Sequence, residues 1–241
     1  MRVDRHRPTP LYQQLKAILL DKIVSGTYPP HTRLPSEREL SETFSMSRMT
    51  VRQALSKLAQ EGWIYTRQGK GTYVGVPKLS QGLVIMGFTE RMQELGMKPS
   101  SIVVDQYTQE ASGDVASRLK LEPGTPILYV YRVRLADGVP TLLERAHVAL
   151  SLCPQVANYD YSTHSLYEAL RKECNISLVR ADQTLEAVLA RPEEARLLDL
   201  EVPAALMLRL RVTYSSRDNP VEYVEGLYRG DRYKFDITLY K

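Results

Sequence analysis

A helix with two arginines one turn apart is predicted by SRMTVRQAL, residues 47–55. Ser47 is a suitable helix cap, while Val51 and Leu55 lie four residues apart on one apolar face. Arg52 then faces outward, and Arg48 lies in the first turn at the edge of the apolar face. Because a guanidinium group can donate two hydrogen bonds to guanine in the major groove, this stretch predicts a DNA recognition helix.

Two further helices are predicted ahead of this one. Apolar residues recur at helical spacing over residues 11–23, between Pro10 and Gly26. Ser36 is followed three residues later by Glu39, which is the pattern of a capping box at the start of a helix. The second and third helices are joined by few residues, so we expect them to cross steeply, as in a helix-turn-helix.

A glycine-rich hairpin is predicted after the third helix. RQGKGTYV, residues 67–74, follows one short strand-like run at Trp63–Thr66 and contains a second at Thr72–Val74. Glycines at the tip allow a close approach to a phosphate or to the minor groove. Three helices followed by such a hairpin predict a winged helix-turn-helix.

Charge is distributed unevenly along the 241 residues, which carry a net charge of +4. Residues 1–76 contain 12 Lys and Arg against six Asp and Glu, whereas the remainder contains 20 against 22. The basic part coincides with the predicted helix-turn-helix, as binding to DNA phosphates requires. The chain has no long apolar run and no apolar signal core near its start, so we expect neither a membrane span nor a secretory leader, and a cytoplasmic protein.

Neither a metal site nor a cofactor is expected. The two cysteines, Cys153 and Cys174, lie far apart and have no zinc-ligand spacing, so we expect reduced, inert thiols and no disulfide framework. The four histidines are scattered without metal-ligand spacing.

A second domain is expected after a short linker. We predict a DNA-binding domain at 1–75, a linker at 76–82 and a second domain at 83–241. Its strand-like runs are Ile102–Tyr107, Pro126–Leu135, Thr141–Leu150, Val179–Leu189, Ala205–Tyr214, Pro220–Tyr228 and Phe235–Leu239, and its helical segments are Gly113–Leu119, Ser165–Cys174 and Pro192–Leu200. Turn signals at Asp137-Gly138 and Asp218-Asn219 favour an α+β fold around a mostly antiparallel sheet, with a duplicated hairpin.

The second domain carries residues suited to an anionic ligand. Arg132 and Arg134 share one face of a strand, Glu144 lies on the return strand, and Glu222 and Tyr228 share a face of a later strand. Two guanidinium groups with acidic and phenolic neighbours suit a phosphate or carboxylate at one end of a ligand and hydroxyls at the other.

Two more segments could contribute to this pocket. Ser165 is a helix cap whose hydroxyl and following amides could bind an anion, and Thr89 begins a helix that could close over the ligand. The alternative is that Arg132 and Arg134 pair with Glu144 as a solvated ladder and that Ser165 is only a cap.

The sequence resembles a family of bacterial regulators. Residues 10–15, 34–40, 47–55 and 68–74 look like the winged helix-turn-helix of GntR-type transcription regulators. Residues 87–92, 132–138, 165–167 and 228–233 resemble the effector-binding UTRA domain of the HutC subfamily. The resemblance covers nearly the whole chain. It is highly specific in the DNA-binding half, and in the effector half it is specific for the domain but poorly specific for the ligand.

The resemblance implies a homodimer that binds a palindromic DNA operator. It implies roles at the DNA for eight residues, namely Arg38, Arg48 and Arg52 near bases, Ser36, Thr50 and Gln53 near phosphates or base edges, and Gly69 and Lys70 in the minor groove. The chain is also similar to regulators of amino-sugar use with a sugar phosphate in the UTRA pocket. Thr89, Arg132, Arg134, Ser165 and Tyr167 would then hold the phosphate, and Glu144, Glu222 and Tyr228 the sugar.

Two other functions compete with this hypothesis. The UTRA fold resembles chorismate lyase, whose pocket also uses arginines and a glutamate, so the pocket could be that of an enzyme. A ligand-independent architectural DNA-binding protein is the third reading, and it predicts little sequence preference and a steep dependence on salt.

Overall fold

A computed structural model describes residues 8–75, 78–81 and 85–237 of the chain. The chain divides into two compact units, Met1–Leu79 and Ser80–Lys241. Each unit has its own apolar core, and each is described by itself below.

The first unit contains three helices and a hairpin. Its elements are α1 (Leu11–Val24), α2 (Glu37–Phe44), α3 (Arg48–Gln60), β1 (Ile64–Arg67) and β2 (Gly71–Val74). The apolar faces of the helices meet in a core that includes Leu15, Leu40, Val51 and Leu58, all almost inaccessible to solvent. This arrangement confirms the predicted winged helix-turn-helix.

Side-chain caps fix where α2 and α3 begin. The Ser36 hydroxyl accepts a hydrogen bond from the Glu39 amide at 3.2 Å, and the Glu39 carboxylate accepts one from the Ser36 amide at 2.7 Å. Ser45 ends α2 in the left-handed region, at φ +50°, and the Ser47 hydroxyl caps α3 by accepting from the Thr50 amide at 3.2 Å. Because only three residues separate α2 from α3, the first turn of α3 is held rigidly against its partner helix.

The second unit is built on a six-stranded antiparallel sheet, which confirms the predicted α+β fold around a mostly antiparallel sheet. The strand order is β4-β5-β6-β9-β8-β7, with β4 (Pro99–Glu110), β5 (Pro126–Ala136), β6 (Val139–Ala149), β7 (Leu178–Leu189), β8 (Ala205–Ser215) and β9 (Pro220–Arg229). The helices are α4 (Phe88–Glu94), α5 (Gly113–Leu119), α6 (Leu166–Cys174) and α7 (Pro192–Leu197), with a 3-10 helix at Pro154–Asn158. A separate pair is formed by β3 (Leu79–Gln81) and β10 (Tyr233–Phe235).

The predicted duplication extends beyond the hairpin. The order β4, α5, β5, β6 is repeated as β7, α7, β8, β9, and the two repeats join where β6 pairs with β9 in the centre of the sheet. In the first repeat the hairpin turns at Asp137 and Gly138, both with positive φ. Corresponding strands of the two repeats therefore approach the same central region from opposite sides.

Several predicted boundaries shift in the structure. The predicted linker, 76–82, contains the short strand β3, while residues 76, 77 and 82 lie outside the described residues. The last strand covers Tyr233–Phe235 instead of Phe235–Leu239, and residues 238–241 lie outside the described part of the chain. The helix predicted to reach Leu200 ends at Leu197.

The prediction for the cysteines was wrong. Cys153 and Cys174 form a disulfide, with their Cα atoms 5.7 Å apart. Cys153 directly precedes the 3-10 helix, and Cys174 ends α6. These two helices pack together, so the two cysteines meet although they are 21 residues apart in sequence. The spacing of the two cysteines along the chain gave no signal for this pair, because the contact between their segments is tertiary. The expectation of reduced thiols came from the predicted cytoplasmic location.

Reduction of this disulfide is expected to lower the free energy of unfolding by about 2 to 4 kcal/mol, because the unfolded chain loses a cross-link. Thermal unfolding with and without a reductant measures the change. The Cys153→Ser/Cys174→Ser double variant should match the reduced protein and be insensitive to the reductant. An unchanged melting temperature on reduction would contradict the stabilising role.

Candidate DNA-binding and effector-binding sites

The predicted recognition helix presents its polar face to solvent. Arg48, Arg52 and Gln53 are exposed, as expected, and Met49 between them is 69% exposed. Thr50, which was also expected to face outward, is half-buried. Its hydroxyl lies 2.8 Å from the Ser47 hydroxyl, within the helix cap. The outward side chains are therefore available to a DNA groove, with Thr50 partly engaged in the cap.

Arg52 is held by Glu37, a contact that the sequence did not indicate. Its Nε and Nη2 donate to the two carboxylate oxygens at 3.1 and 2.9 Å. The hydrogen bond from Arg52 lowers the pKa of Glu37, and the charge of Arg48 adds to this effect. The Arg52 side chain is still 61% exposed, and such exposed ion pairs are easily exchanged for another partner. Glu37 therefore orients Arg52 without burying it.

The other predicted DNA-contacting residues lie on the same unit. Arg38 is exposed, and its Nε lies 3.4 Å from Oε1 of Glu42 on the next turn of α2. Gly69 and Lys70 are exposed at the tip of the hairpin, where Gly69 has φ +72°. Ser36, also exposed, is engaged in the capping box.

An aromatic pair stiffens the hairpin. The rings of Tyr65 and Tyr73 stack with their centroids 5.7 Å apart. The guanidinium group of Arg67 lies 5.5 and 5.2 Å from these two centroids. The hairpin thus carries a fixed positive charge that sequence reasoning did not assign to the DNA-binding surface.

The predicted effector residues converge on one cavity of the second unit. A small cavity of about 30 Å³, partly open to solvent, lies between side chains of the sheet and the first turns of α4 and α6. The lining residues are Met86, Gly87, Phe88, Thr89, Arg132, Arg134, Glu144, Ser165, Leu166, Tyr167, Arg209, Arg211, Glu222 and Val224. Seven of the eight predicted effector residues are in this set, and Tyr228 is not.

Arg132 and Arg134 form a buried cluster with Glu144, not a solvated ladder. Both arginines donate to the same carboxylate oxygen, Arg134 at 3.3 Å. Arg132 and Arg134 are 2% and 3% exposed, and Nε and Nη1 of Arg132 and Nε of Arg134 have no hydrogen-bond partner. Burial, with the charge of Arg132, lowers the pKa of Arg134 to about 10. One carboxylate is thus shared by two guanidinium groups that retain unused donors.

The first turn of α4 closes over Arg134. The Thr89 hydroxyl accepts a hydrogen bond from Arg134 Nη2 at 2.9 Å. The Phe88 ring centroid lies 4.6 Å from the same guanidinium group. Gly87 lies against Tyr167, where a Cβ atom would be 3.4 Å from the ring. The predicted closing helix is therefore already in contact with the cationic floor.

The first turn of α6 contributes Ser165 and Tyr167. The Tyr167 hydroxyl donates to Glu222 at 2.9 Å and lies 3.4 Å from the Thr213 hydroxyl. Ser165 acts as the helix cap, accepting from the Glu168 amide at 3.4 Å, while also lining the cavity. Its capping role is therefore established in the structure, and any contact with a ligand would be additional.

The two acidic residues of the cavity differ in charge. Burial raises the pKa of Glu222 to about 7, and the charge of Glu144 adds to the rise. Burial also disfavours the charged form of Glu144, but the charges of Arg132 and Arg134 outweigh it and lower its pKa. Near neutral pH the cavity therefore contains one ionised carboxylate and one that is partly protonated.

Arg209 and Arg211 line the cavity, and sequence reasoning missed them. They occupy alternate positions of β8, as Arg132 and Arg134 do in β5, so each pair shares one face of its strand. All four line the same cavity, so both pairs face the same side of the sheet. The Arg-x-Arg spacing within the second copy of the hairpin was the available signal. Tyr228, predicted to contact ligand, is buried with its ring centroid 4.7 Å from the Arg209 guanidinium group.

Neither a metal-binding cluster nor a helix of membrane-spanning length occurs in the residues that the structure describes. Among them there is no cluster of three or more His, Cys, Asp or Glu side chains placed to hold a metal ion. Within the same ranges, no helix is long and apolar enough to cross a membrane.

A winged helix-turn-helix joined to a unit with an arginine-lined cavity defines a ligand-responsive DNA-binding regulator. Residues 11–74 match the gntR family of bacterial regulatory proteins, and residues 94–234 match the UTRA domain. The chain belongs to the GntR family, in its HutC-type branch with a UTRA domain.

Relatives match over almost the whole chain. The HTH-type transcriptional repressor NagR of Bacillus subtilis is 37% identical over 98% of this chain and 97% of its own length. The histidine utilization repressor of Pseudomonas putida is 30% identical, covering 95% and 92%. The crystal structure of PhnF from Mycobacterium smegmatis superposes with a TM-score of 0.82 at 32% identity, covering 93% and 98%. The chain is therefore a transcriptional repressor and not a chorismate-lyase-like enzyme.

Replacement of Arg52 by alanine is expected to reduce the preference for operator over unrelated DNA roughly tenfold or more, because a two-pronged base contact is lost. Competition binding with operator and scrambled duplexes at fixed salt measures this ratio. Lys16→Ala is the matched control, since it removes another ion pair of the first unit, between Lys16 on α1 and Glu61 at the end of α3. Equal loss of affinity for both duplexes would instead indicate a phosphate contact.

Sulfate binding in the cavity is expected to weaken several-fold between about pH 6 and about pH 8, because Glu222 loses its proton near pH 7 and adds a negative charge. The raised pKa of Glu222 also means that the folded state holds this proton more tightly than the unfolded state does. The stabilisation that this proton gives is therefore lost as the pH rises through 7. Calorimetric titration and thermal unfolding measure the two effects. Glu222→Gln should flatten both profiles, and an unchanged slope in that variant would exclude Glu222 as the titrating group.

Proposed function

We propose that the effector of this repressor is a small phosphorylated amino sugar, with N-acetylglucosamine-6-phosphate or glucosamine-6-phosphate as the best candidates. The observation that carries the proposal is the buried pair Arg132 and Arg134, which share Glu144 and retain unpartnered donors. A phosphate group supplies acceptor oxygens on several sides at once, so it can satisfy both guanidinium groups together.

The resemblance to regulators of amino-sugar use implies which residues would hold each end of the ligand. The phosphate would be held by Arg132, Arg134 and Thr89, with Ser165 and Tyr167 from α6. The sugar hydroxyls would donate to Glu144 and Glu222 near Tyr228.

The names of the relatives do not select an effector. They include a repressor of histidine utilization and, at 27% identity, a probable fructoselysine utilization operon transcriptional repressor of Shigella flexneri. These names refer to chemically different compounds, so the charge of the cavity is the better guide. A cavity rich in guanidinium groups favours a phosphate over a neutral or cationic ligand.

We further infer that the repressor acts in the cytoplasm as a homodimer on a palindromic operator. The free dimer would hold its two recognition helices at the spacing of the half-sites, about one helical turn of DNA apart. The effector would stabilise an arrangement that does not fit this spacing. It can weaken operator binding only by as much as it prefers that arrangement, typically about 1 to 3 kcal/mol.

Addition of N-acetylglucosamine-6-phosphate or glucosamine-6-phosphate is expected to raise the apparent dissociation constant for operator DNA about 5- to 150-fold. An electrophoretic mobility shift with the promoter region of the protein's own gene measures this. Arg134→Met should bind the operator normally but fail to respond. Arg180→Met is the matched control, because Arg180 is an exposed arginine of β7 paired with Asp182 and Asp218.

No response to these or other anionic metabolites would overturn the sensor role. Binding with little preference for the operator sequence would favour the architectural alternative.

A further inference from the structure

Arg209 lies across the cavity from Arg132, in the same row of the sheet. The paired positions of this row are Arg132, Glu144, Gly226 and Arg209, on β5, β6, β9 and β8. Neighbouring strands are about 4.8 Å apart, so the backbones at the two ends of the row are separated by about 14 Å. The two guanidinium groups therefore approach the cavity from opposite repeats.

Donors of Arg209 are unused although the side chain is buried. Arg209 is 6% exposed, and its Nε and Nη1 have no hydrogen-bond partner. Arg211, two residues further along the same strand, is comparably buried but donates from Nε and Nη2 to the Gln183 side-chain oxygen at 3.2 and 3.0 Å. Since buried donors are normally satisfied, the unused donors of Arg209 point to an acceptor that arrives with a ligand.

The position of Arg209 is fixed by an aromatic support. Its guanidinium group lies 4.7 Å from the centroid of the Tyr228 ring. That ring leans over Gly226, where a Cβ atom would come within 2.9 Å of it. Glycine at 226 thus gives Tyr228 its room, and Tyr228 holds Arg209 beside the cavity. This support explains why Tyr228 is buried beside the site without lining it.

We propose that Arg209 binds a carbonyl or carboxylate oxygen on the part of the effector that lies away from its phosphate. This inference rests on the proposed function and refines it. A guanidinium group donates and cannot accept, so it favours such an sp² oxygen over an ammonium group. An acetamide oxygen, as in N-acetylglucosamine-6-phosphate, and the carboxylate of a phosphorylated sugar acid are the two sources of this chemistry.

The charge of the cavity supports the same selection. Four arginines line it with two acidic residues, and one of these, Glu222, is partly protonated near neutral pH. A phosphate dianion offsets this positive charge, whereas an added ammonium group increases it. Glucosamine-6-phosphate should therefore bind more weakly than its N-acetylated form.

The experiment is calorimetric titration of the full-length protein with four phosphates. The ligands are glucose-6-phosphate, glucosamine-6-phosphate, N-acetylglucosamine-6-phosphate and 6-phosphogluconate. We expect at least one ligand bearing an sp² oxygen to bind about tenfold or more tightly than glucose-6-phosphate, as a hydrogen bond to a charged group allows. Whichever of the two gains more identifies the acceptor as amide or carboxylate.

Arg209→Gln should remove this advantage while changing the affinity for glucose-6-phosphate less than about twofold. Arg209→Lys keeps the positive charge but not the fork of donors, so it should also lose most of the advantage. Arg180→Gln is the comparison outside the cavity, since Arg180 is an exposed arginine of β7 paired with Asp182 and Asp218, and it should retain the advantage. Thermal unfolding of each variant checks that the fold is intact.

Four results would overturn the proposal. They are an equal loss for all ligands in both Arg209 variants, no loss for any ligand, an equally selective loss in Arg180→Gln, and no advantage of either sp² ligand in the unsubstituted protein. Binding that depends on Arg134 but not on Arg209 would leave the proposed function standing and this inference refuted. Failure of all four phosphates to bind the unsubstituted protein would refute both.

Discussion

Buried positive charge without enough partners is the constraint on which the effector unit depends. Arg132 and Arg134 share one carboxylate, and Arg209 rests on an aromatic ring with donors unused. Removing a charged group from water is costly unless hydrogen bonds replace the lost hydration. An anion in the cavity would supply these missing partners, which is a suitable property for a sensor.

Duplication within the sheet explains how one chain assembles this cluster. Each repeat places two arginines at alternate positions of its middle strand and one glutamate on the next, so the two repeats face each other across the β6–β9 junction. The first turns of α4 and α6 add Thr89, which accepts from Arg134, and Tyr167, which donates to Glu222. An effector that contacts both the arginines of the sheet and the first turns of α4 and α6 would change the energy of both parts, which is what a population shift requires.

Local sequence signals predicted the first unit better than the second. Capping residues such as Ser36 and Ser47 act within one turn of their own helix, so the pattern alone determined where the helices begin. Strand alternation likewise put Arg132 and Arg134 on one face. Arg209 was missed because its relation to that face depends on the register of four strands. The Arg52–Glu37 and Cys153–Cys174 pairs were missed for the same reason, since each joins segments that only the tertiary fold brings together.

In the proposed mechanism, filling the arginine cavity and holding operator DNA oppose each other. Binding linkage requires the effect to be reciprocal, so the operator must weaken effector binding by the same factor by which the effector weakens operator binding. Calorimetric titration of the effector into the free protein and into the protein–operator complex measures this factor directly. We expect a dissociation constant about 5- to 150-fold higher in the complex. Equal dissociation constants in the two titrations would contradict it.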